Sequence, residues 1–428
     1  INLTVKPGMK QGWFGNAYGG YGSKDRYEGN AMVNRFVNND QITFMGGANN
    51  TNNMGFSDLA STMFSGMGGG GGRRGGFGAG SGITSSGNAG LNFSKEFKPD
   101  KLTLGGNTRY SHSDNDARSK SDRQNILPGD SSSYDNSEAM SRTKSDNFGV
   151  DFRLEWKPDT MTQLIFRPSF SLSHSMNDNF SDATTLDNER DTVNTNKSSN
   201  YSESNGYNLN ASIDFSRKLN NKGRVFSATL SGGNSNSYSD GMNRSDIVYF
   251  NQTDALKNSI IDQRSRYDNK GFNYRAYVSW VEPIGHNNFI QATYSISQRK
   301  QEALKNVYNQ DADGIYNVLD SAYSQSYRNN FISQRASLSF KSQRAKFNYT
   351  IGLNPSYSSS ENFVGDTTLS KITRKVVNLS PMAQFNYMFD KRTNLRIMYN
   401  GRTSQPSMTQ LQPVADISDP TNITIGNP

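Results

Sequence analysis

The chain has no cysteine, only three histidines, and nowhere a run of about 18 apolar residues. Without thiols there are no disulfides, no thiolate metal sites and no cysteine nucleophiles, although the redox compartment stays open. Without a long apolar run there is no transmembrane helix. Residues 1–10 lack the charged stretch and apolar stretch of a secretory signal. The chain also begins without Met, so it is expected to be an internal piece of something longer. Only 33% of its residues are apolar and mean hydropathy is −0.78, too polar for a conventional core in a chain of 428 residues. The 46 Lys and Arg outnumber the 38 Asp and Glu but are spread thinly, which points away from nucleic acid.

What is abundant is asparagine, 51 residues, together with serine, glycine and aromatics, the last at 11%. That aromatic content is high for a disordered chain. Few aliphatics with many aromatics suit thin sheets with one apolar and one wetted face, and exclude a helical or α/β enzyme. Strict alternation confirms strands. Phe148, Val150, Phe152, Leu154 and Trp156 alternate with Gly149, Asp151, Arg153 and Glu155. The same pattern runs through residues 207–216, 272–280 and 346–354. Period two over about ten residues means strands with one face in an apolar medium and the other in water. The first three strands are expected at residues 12–21, 27–36 and 41–48, and the last at 394–401.

Connections alternate too. Short ones with turn residues fall at 98–100, 157–159, 220–223, 285–287 and 390–393. A further turn is placed at 341–345 from position alone. Long polar connections are expected at residues 51–86, 112–145, 175–206, 236–269, 299–330 and 358–374. Phe97, Trp156, Trp280, Phe340 and Phe389 precede short turns, as an interfacial aromatic girdle would. The alternative for these rings is the strand ends of a soluble core. Strand length, one-sided polarity and alternating loops favour an all-β, antiparallel transmembrane β-barrel, because strands in lipid must close to pair their backbones. About 15 strands are expected, part of a larger, 22-stranded barrel. The odd count and a C-terminus within a loop suggest further strands beyond residue 428. Pro168, Pro283 and Pro381 each remove a ladder donor and call for bulges or gaps.

The segment INLTVKP at residues 1–7, followed by GWFGNAYGGYGSKDRY at 12–27, resembles the junction between plug and first barrel strand in TonB-dependent receptors of Bacteroidetes-type bacteria. More narrowly it resembles the outer-membrane β-barrel family related to them. The loop GGANNTNNMGF at 46–56, the glycine run at 66–82 and the closing stretch 404–428 are similar to that family as well. The resemblance implies residues 1–10 as the end of a plug or linker and 11–428 as a barrel incomplete at its C-terminus. It also implies location in the bacterial outer membrane, contact with lipid and lipopolysaccharide, a TonB-type energy-transducing partner acting through an N-terminal region, and a surface lipoprotein as a further partner. Apart from a last plug strand at residues 1–6, the family's signal peptide, periplasmic N-terminal domain, TonB-contacting segment and plug are not expected within this stretch.

Motifs for chemistry are sparse. The glycine run with Arg73 and Arg74 lacks the Gly-Lys pair and following helix of a phosphate loop, so a flexible loop is expected. Asn309, Asp311, Asp313, Gly314 and Asp320 have the spacing of a calcium loop, but Asn opens it and a short Asp closes it. An Asx-turn-rich surface loop is favoured, with calcium the minority alternative. His112, His174 and His286 fall in or beside different connections without metal spacing. Asp151 and Glu155 are expected in ionic ladders with Arg153 and cations of neighbouring strands, not as an acid/base pair. Arg153, Arg167, Arg275, Arg335 and Arg396 would face the lumen, where they could attract anionic solutes or the acidic face of a plug. No catalytic, cofactor-binding or metal-binding residue is assigned, no cofactor is required, and the protein is not expected to be an enzyme. The expected function is TonB-dependent uptake of a solute by the parent receptor. The alternatives are a non-transporting outer-membrane barrel for surface interaction or assembly, and a soluble secreted all-β glycan-binding module.

Overall fold

The computed structural model describes residues 11–52, 82–126, 132–250, 258–285, 287–364, 370–390, 392–401, 415–416 and 424–425. The proposed plug end at residues 1–10, the glycine run at 66–81, His286 and most of the closing stretch lie outside the described residues.

One sheet holds 16 strands. In chain order they are β1 (Gln11–Gly22), β2 (Arg26–Val37), β3 (Asp40–Asn49), β4 (Ile83–Lys98), β5 (Leu102–Asn125), β6 (Ser133–Trp156), β7 (Thr162–Leu186) and β8 (Thr192–Lys218). They continue as β9 (Val225–Tyr249), β10 (Ser259–Pro283), β11 (Asn288–Gln310), β12 (Tyr316–Leu319), β13 (Gln325–Gln343), β14 (Phe347–Val364), β15 (Ser370–Met388) and β16 (Asn394–Asn400). Each strand pairs antiparallel with its sequence neighbour, except that β12 and β13 both lie along β11. A separate two-residue ladder joins β17 (Ala415–Asp416) to β18 (Thr424–Ile425). Among the described residues β1 and β16 do not pair with each other, so the sheet is open.

The first three strands and the last lie where the alternation places them. The count exceeds the expected 15 because β12 occupies part of the connection expected at 299–330. The larger correction concerns height. Strands β5 to β10 are 24, 24, 25, 27, 25 and 25 residues long, so most of the expected long connections are ladder. The connection expected at 175–206 shrinks to a tight tip, where the Asp187 amide donates to the Asp191 carbonyl at 2.9 Å. Above the apolar segment both faces of these hairpins meet water. The hydrophobic alternation then vanishes although backbone pairing continues, which is why periodicity could not see it. The turn expected at 341–345 lies at residues 344–346, since β13 runs on to Gln343.

Pro168 makes the gap expected of it, whereas the ladders run unbroken through Pro283, opposite Phe289, and Pro381, opposite Leu353. Beside Pro168 the β6–β7 register skips from Asp151↔Ser169 to Leu154↔Phe166, while the β7–β8 side is continuous. Pro283 ends β10. Pro381 accepts from the Gly401 amide at 3.1 Å, beside the short edge strand β16. Pro355 makes a similar gap that was not expected, between Arg335↔Ser356 and Leu338↔Leu353. A missing donor is tolerated where only one ladder is interrupted.

Candidate functional site

Burial in this sheet is inverted relative to a water-soluble protein. Asn34, Thr43 and Asn107 are 1%, 0% and 3% exposed, whereas Phe44, Leu230 and Leu338 are 58%, 55% and 60% exposed. The two sets sit on opposite faces. Side chains crowd where a sheet is concave, so the polar face is the inner one and the apolar face points outward. In water such a face would be a very large unsatisfied apolar patch. In hydrocarbon it is the side that needs no partner.

Registration shows how this outer belt is built. Trp156, Leu164, Phe215, Ala228, Val278, Tyr294 and Ala336 form one continuous cross-strand row from β6 to β13. Beyond the gap at Pro355 the row resumes with Pro355↔Leu379. On β6 this row is at the turn end of the belt. On β15 the turn-side aromatic of the same face, Tyr387, lies eight positions nearer the turn than Leu379. Eight residues of drift over eight strand steps, at about 3.3 Å per residue and about 4.8 Å per strand, is a tilt of about 35°. That is the tilt of closed membrane barrels.

The turn end of the belt is marked by rings. Phe97, Trp156, Trp280 and Phe389 are all exposed on it. The Trp280 indole N–H donates to Glu282 Oε2 at 3.1 Å, and Glu282 is held by Arg224 through two bonds of 2.5 and 2.7 Å. The Trp280 ring thus faces the apolar belt while its polar edge meets an ionic pair, the arrangement that favours Trp at a membrane surface. Glu282 lies beyond the belt, and the Arg224 guanidinium holds its carboxyl below the usual range.

The inner face carries the ionic groups. Asp151 receives Asn107 at 2.9 Å and Arg109 at 3.5 Å. Glu155 is paired with Arg153 at 2.9 Å and Lys157 at 2.8 Å. Arg167 pairs with Asp214, whose other oxygen accepts from the Thr229 hydroxyl at 2.8 Å. These are the ladders expected for Asp151 and Glu155. Of the arginines expected to face the lumen, Arg153 and Arg167 are therefore occupied by carboxylates. Arg275, Arg335 and Arg396 also lie on the inner face but form no ion pair among the described residues.

These features agree with an independent comparison. Residues 217–428 match the outer membrane protein beta-barrel family, and the whole described sheet has the fold of an outer-membrane β-barrel wall. No curated protein matches it. Among solved structures, the open form of the ferric-catecholate import receptor Fiu from E. coli K12 aligns at 9% identity and a TM-score of 0.28, covering 91% of this chain and 72% of that one. The outer membrane protease OmpT from Escherichia coli aligns at 9% identity and a TM-score of 0.20, covering 72% and 99%. The β domain of the Bordetella autotransporter BrkA aligns at 12% identity and a TM-score of 0.16, covering 72% and 93%.

The barrel wall brings together residues that sequence spacing kept apart. His112, Asp146, His174 and Asn205 are successive partners in one outward row across β5 to β8. His112 Nδ1 lies 2.8 Å from Asp146 Oδ1, the Tyr110 hydroxyl donates to the same oxygen at 2.6 Å, and His174 Nδ1 lies 2.8 Å from Asn205 Oδ1. Two of the three histidines are thus on one ladder, not on unrelated connections. Each member is ten residues from the turn-side partner on its own strand, Leu102, Trp156, Leu164 or Phe215. At the tilt above that is a height of about 27 Å, the outer rim of an apolar band about 25 Å tall.

The calcium-like spacing resolves into two parts. Asp311 Oδ1 accepts the amides of Asp313 and Ile315, both at 2.9 Å, closing the tip between β11 and β12. Asn309 donates to Asp320 Oδ2 at 3.0 Å, and Gln263 donates to both, at 3.0 and 3.1 Å. These bonds are those of Asx-type turn chemistry and a cross-strand amide cluster. The turn amides hold the Asp311 carboxyl below the usual range.

Proposed function

We propose that this chain forms part of the wall of an energy-coupled receptor that carries a solute across the outer membrane. The observation that carries the proposal is a broad, tilted sheet with a lipid-facing belt and a crowded polar inner face, already 15 strands wide along its paired path. Narrow barrels fill their interiors with side chains, whereas the widest enclose a lumen that needs a plug. A plug moved by a periplasmic TonB-type partner belongs to the same proposal, as does a surface lipoprotein that delivers solute. The proposal assigns no catalytic residue.

The test compares the parent bacterium with a strain lacking the gene, by mass spectrometry of the spent medium. At least one solute should be removed by the parent alone, and collapse of the inner-membrane proton gradient should stop its removal. Identical depletion by both strains would refute uptake.

The hairpins support a second role. A membrane-spanning strand needs about 9–11 residues, so strands of 24–27 residues in β5 to β10 project well past the belt. That wall suits surface interaction or assembly. Loss of partner capture with unchanged solute depletion in the deletion strain would favour this role over transport.

A further inference from the structure

The inner face changes character between β8 and β9. On β6 and β8 the inward positions include Asp135, Asp151, Glu155 and Asp214, and the neighbouring Arg109, Arg153 and Arg167 are paired with the last three. From β9 to β16 the inward strand positions among the described residues hold no carboxylate, and Asp320, which reaches this face from the connection after β12, is taken up by Asn309 and Gln263. The same inward positions hold Arg275, Arg299 and Arg335 on three adjacent strands, with Lys305, Lys341, Arg374 and Arg396 elsewhere on the same face.

Register puts the three arginines around a shared patch of serines. Arg275 is directly opposite Ser297, Arg335 is opposite Ser295, and Arg299 lies two residues along β11 from Ser297. All three are exposed, and none pairs with a carboxylate among the described residues. Beside Arg299 is a hollow of about 380 Å³ lined by Ser235, Asn269, Asn273 and Gln301. Gly271 keeps it open, because a Cβ there would come within 2.6 Å of Ser235 Oγ. Guanidinium groups grip carboxylates through paired, charge-assisted bonds. The surrounding amides and hydroxyls offer donors and acceptors to neutral hydroxyl groups.

We propose that Arg275, Arg299 and Arg335, with the adjoining hollow, form a lumenal binding site for a carboxylate-bearing saccharide. The proposal rests on the inward assignment of this face and deepens the receptor function by naming a solute class. A carboxylate would span two of the arginines, and sugar hydroxyls would meet Asn269, Asn273 and Gln301.

The experiment is calorimetric titration of the full-length protein in detergent with digalacturonate, and with the uncharged digalactoside of the same linkage. Wild type should bind the acid and not the neutral sugar, and added salt should weaken the binding. Arg275→Gln, Arg299→Gln and Arg335→Gln should each weaken it about tenfold. The triple Gln variant should abolish binding, the triple Lys variant should retain part of it, and Arg153→Gln should leave it unchanged. Folding of every variant is checked by heat-modifiable gel migration. Equal binding of both sugars, equal loss in Arg153→Gln, or no binding by the wild type would overturn the site. The last outcome would assign these arginines to an acidic segment already seated in the lumen. Acid binding without solute depletion in the strain test would keep this site and remove transport. Depletion indifferent to the three arginines would do the reverse.

Discussion

Leu209 and Asn210 are neighbours on β8 that the pleat sends to opposite faces, so one substitution made at each tests the outward assignment directly. Leu209 is 49% exposed and faces outward between Phe170 on β7 and Asn234 on β9. It stands six residues from the turn-side Phe215, which at a tilt of about 35° is about 16 Å up an apolar band about 25 Å tall. An arginine at the midplane of such a band costs about 2–4 kcal/mol, falling to about 0–1 at its edges. Leu209→Arg, a few ångströms past the middle, should therefore destabilise the inserted protein by about 2–3 kcal/mol. Asn210 faces inward opposite Ser169 and Gly233 and donates to Asn208 Oδ1 at 3.0 Å. Asn210→Arg replaces a wetted amide and should cost no more than about 0.5 kcal/mol. The assay is urea-induced unfolding of the full-length protein in phospholipid vesicles, followed by tryptophan fluorescence. Equal effects, or a larger effect at Asn210, would refute the facing assignment. A soluble sheet would give a third result, with Leu209→Arg improving solubility at little cost.

Two further outcomes follow from particular contacts. Asp240, on β9 well beyond the belt, accepts from Arg264 at 2.6 and 2.9 Å, and this hydrogen-bonded pair holds its carboxyl below the usual range. A carboxyl whose folded pKa is depressed contributes stability above its ordinary pKa of about 3.9, and loses it as pH falls through the lower folded value. Pepsin cleavage of the β9–β10 tip should accordingly rise steeply in that acid window, and Asp240→Asn should remove the step. At Gly106, an added Cβ would lie 2.5 Å from the Phe93 ring and 2.8 Å from the Phe152 ring, which meet edge-on above it. Gly106→Ala should cost about 1–2 kcal/mol by forcing those rings apart. Adding Phe93→Leu should recover part of the loss in the same urea assay, and a neutral Gly106→Ala would refute the packing.

How far the sequence carried depended on what each face touches. Within the belt, lipid on one side and water on the other imposed period two, so strands such as those holding Phe148–Trp156 and Phe272–Trp280 were legible residue by residue. In the upper hairpins both faces are wet, so residues such as Asn115, Ser137 and Asn196 read as loop although they are paired in ladders. The gap at Pro355 is hidden in the sequence for a related reason. It falls where aromatic and aliphatic outward residues continue undisturbed on both sides, and only the register shows the interruption.

The sequence by itself determined the fold class, the outward set of side chains and the turn-end rings, because alternation and turn chemistry are local properties. Only the tertiary structure decided which distant residues share a row. Strands tilted by about 35° pair residues far apart in the chain, and register alone fixes those meetings. That is why His112 and His174 flank Asp146, and why Arg153 and Arg167 are neutralised while Arg275, Arg299 and Arg335 are left without carboxylates. Five arginines that looked equivalent in sequence are thereby sorted, and Arg299 joins them from a stretch expected to be loop. A salt bridge needs a partner within about 4 Å, and spacing along a strand does not say what stands on the next one.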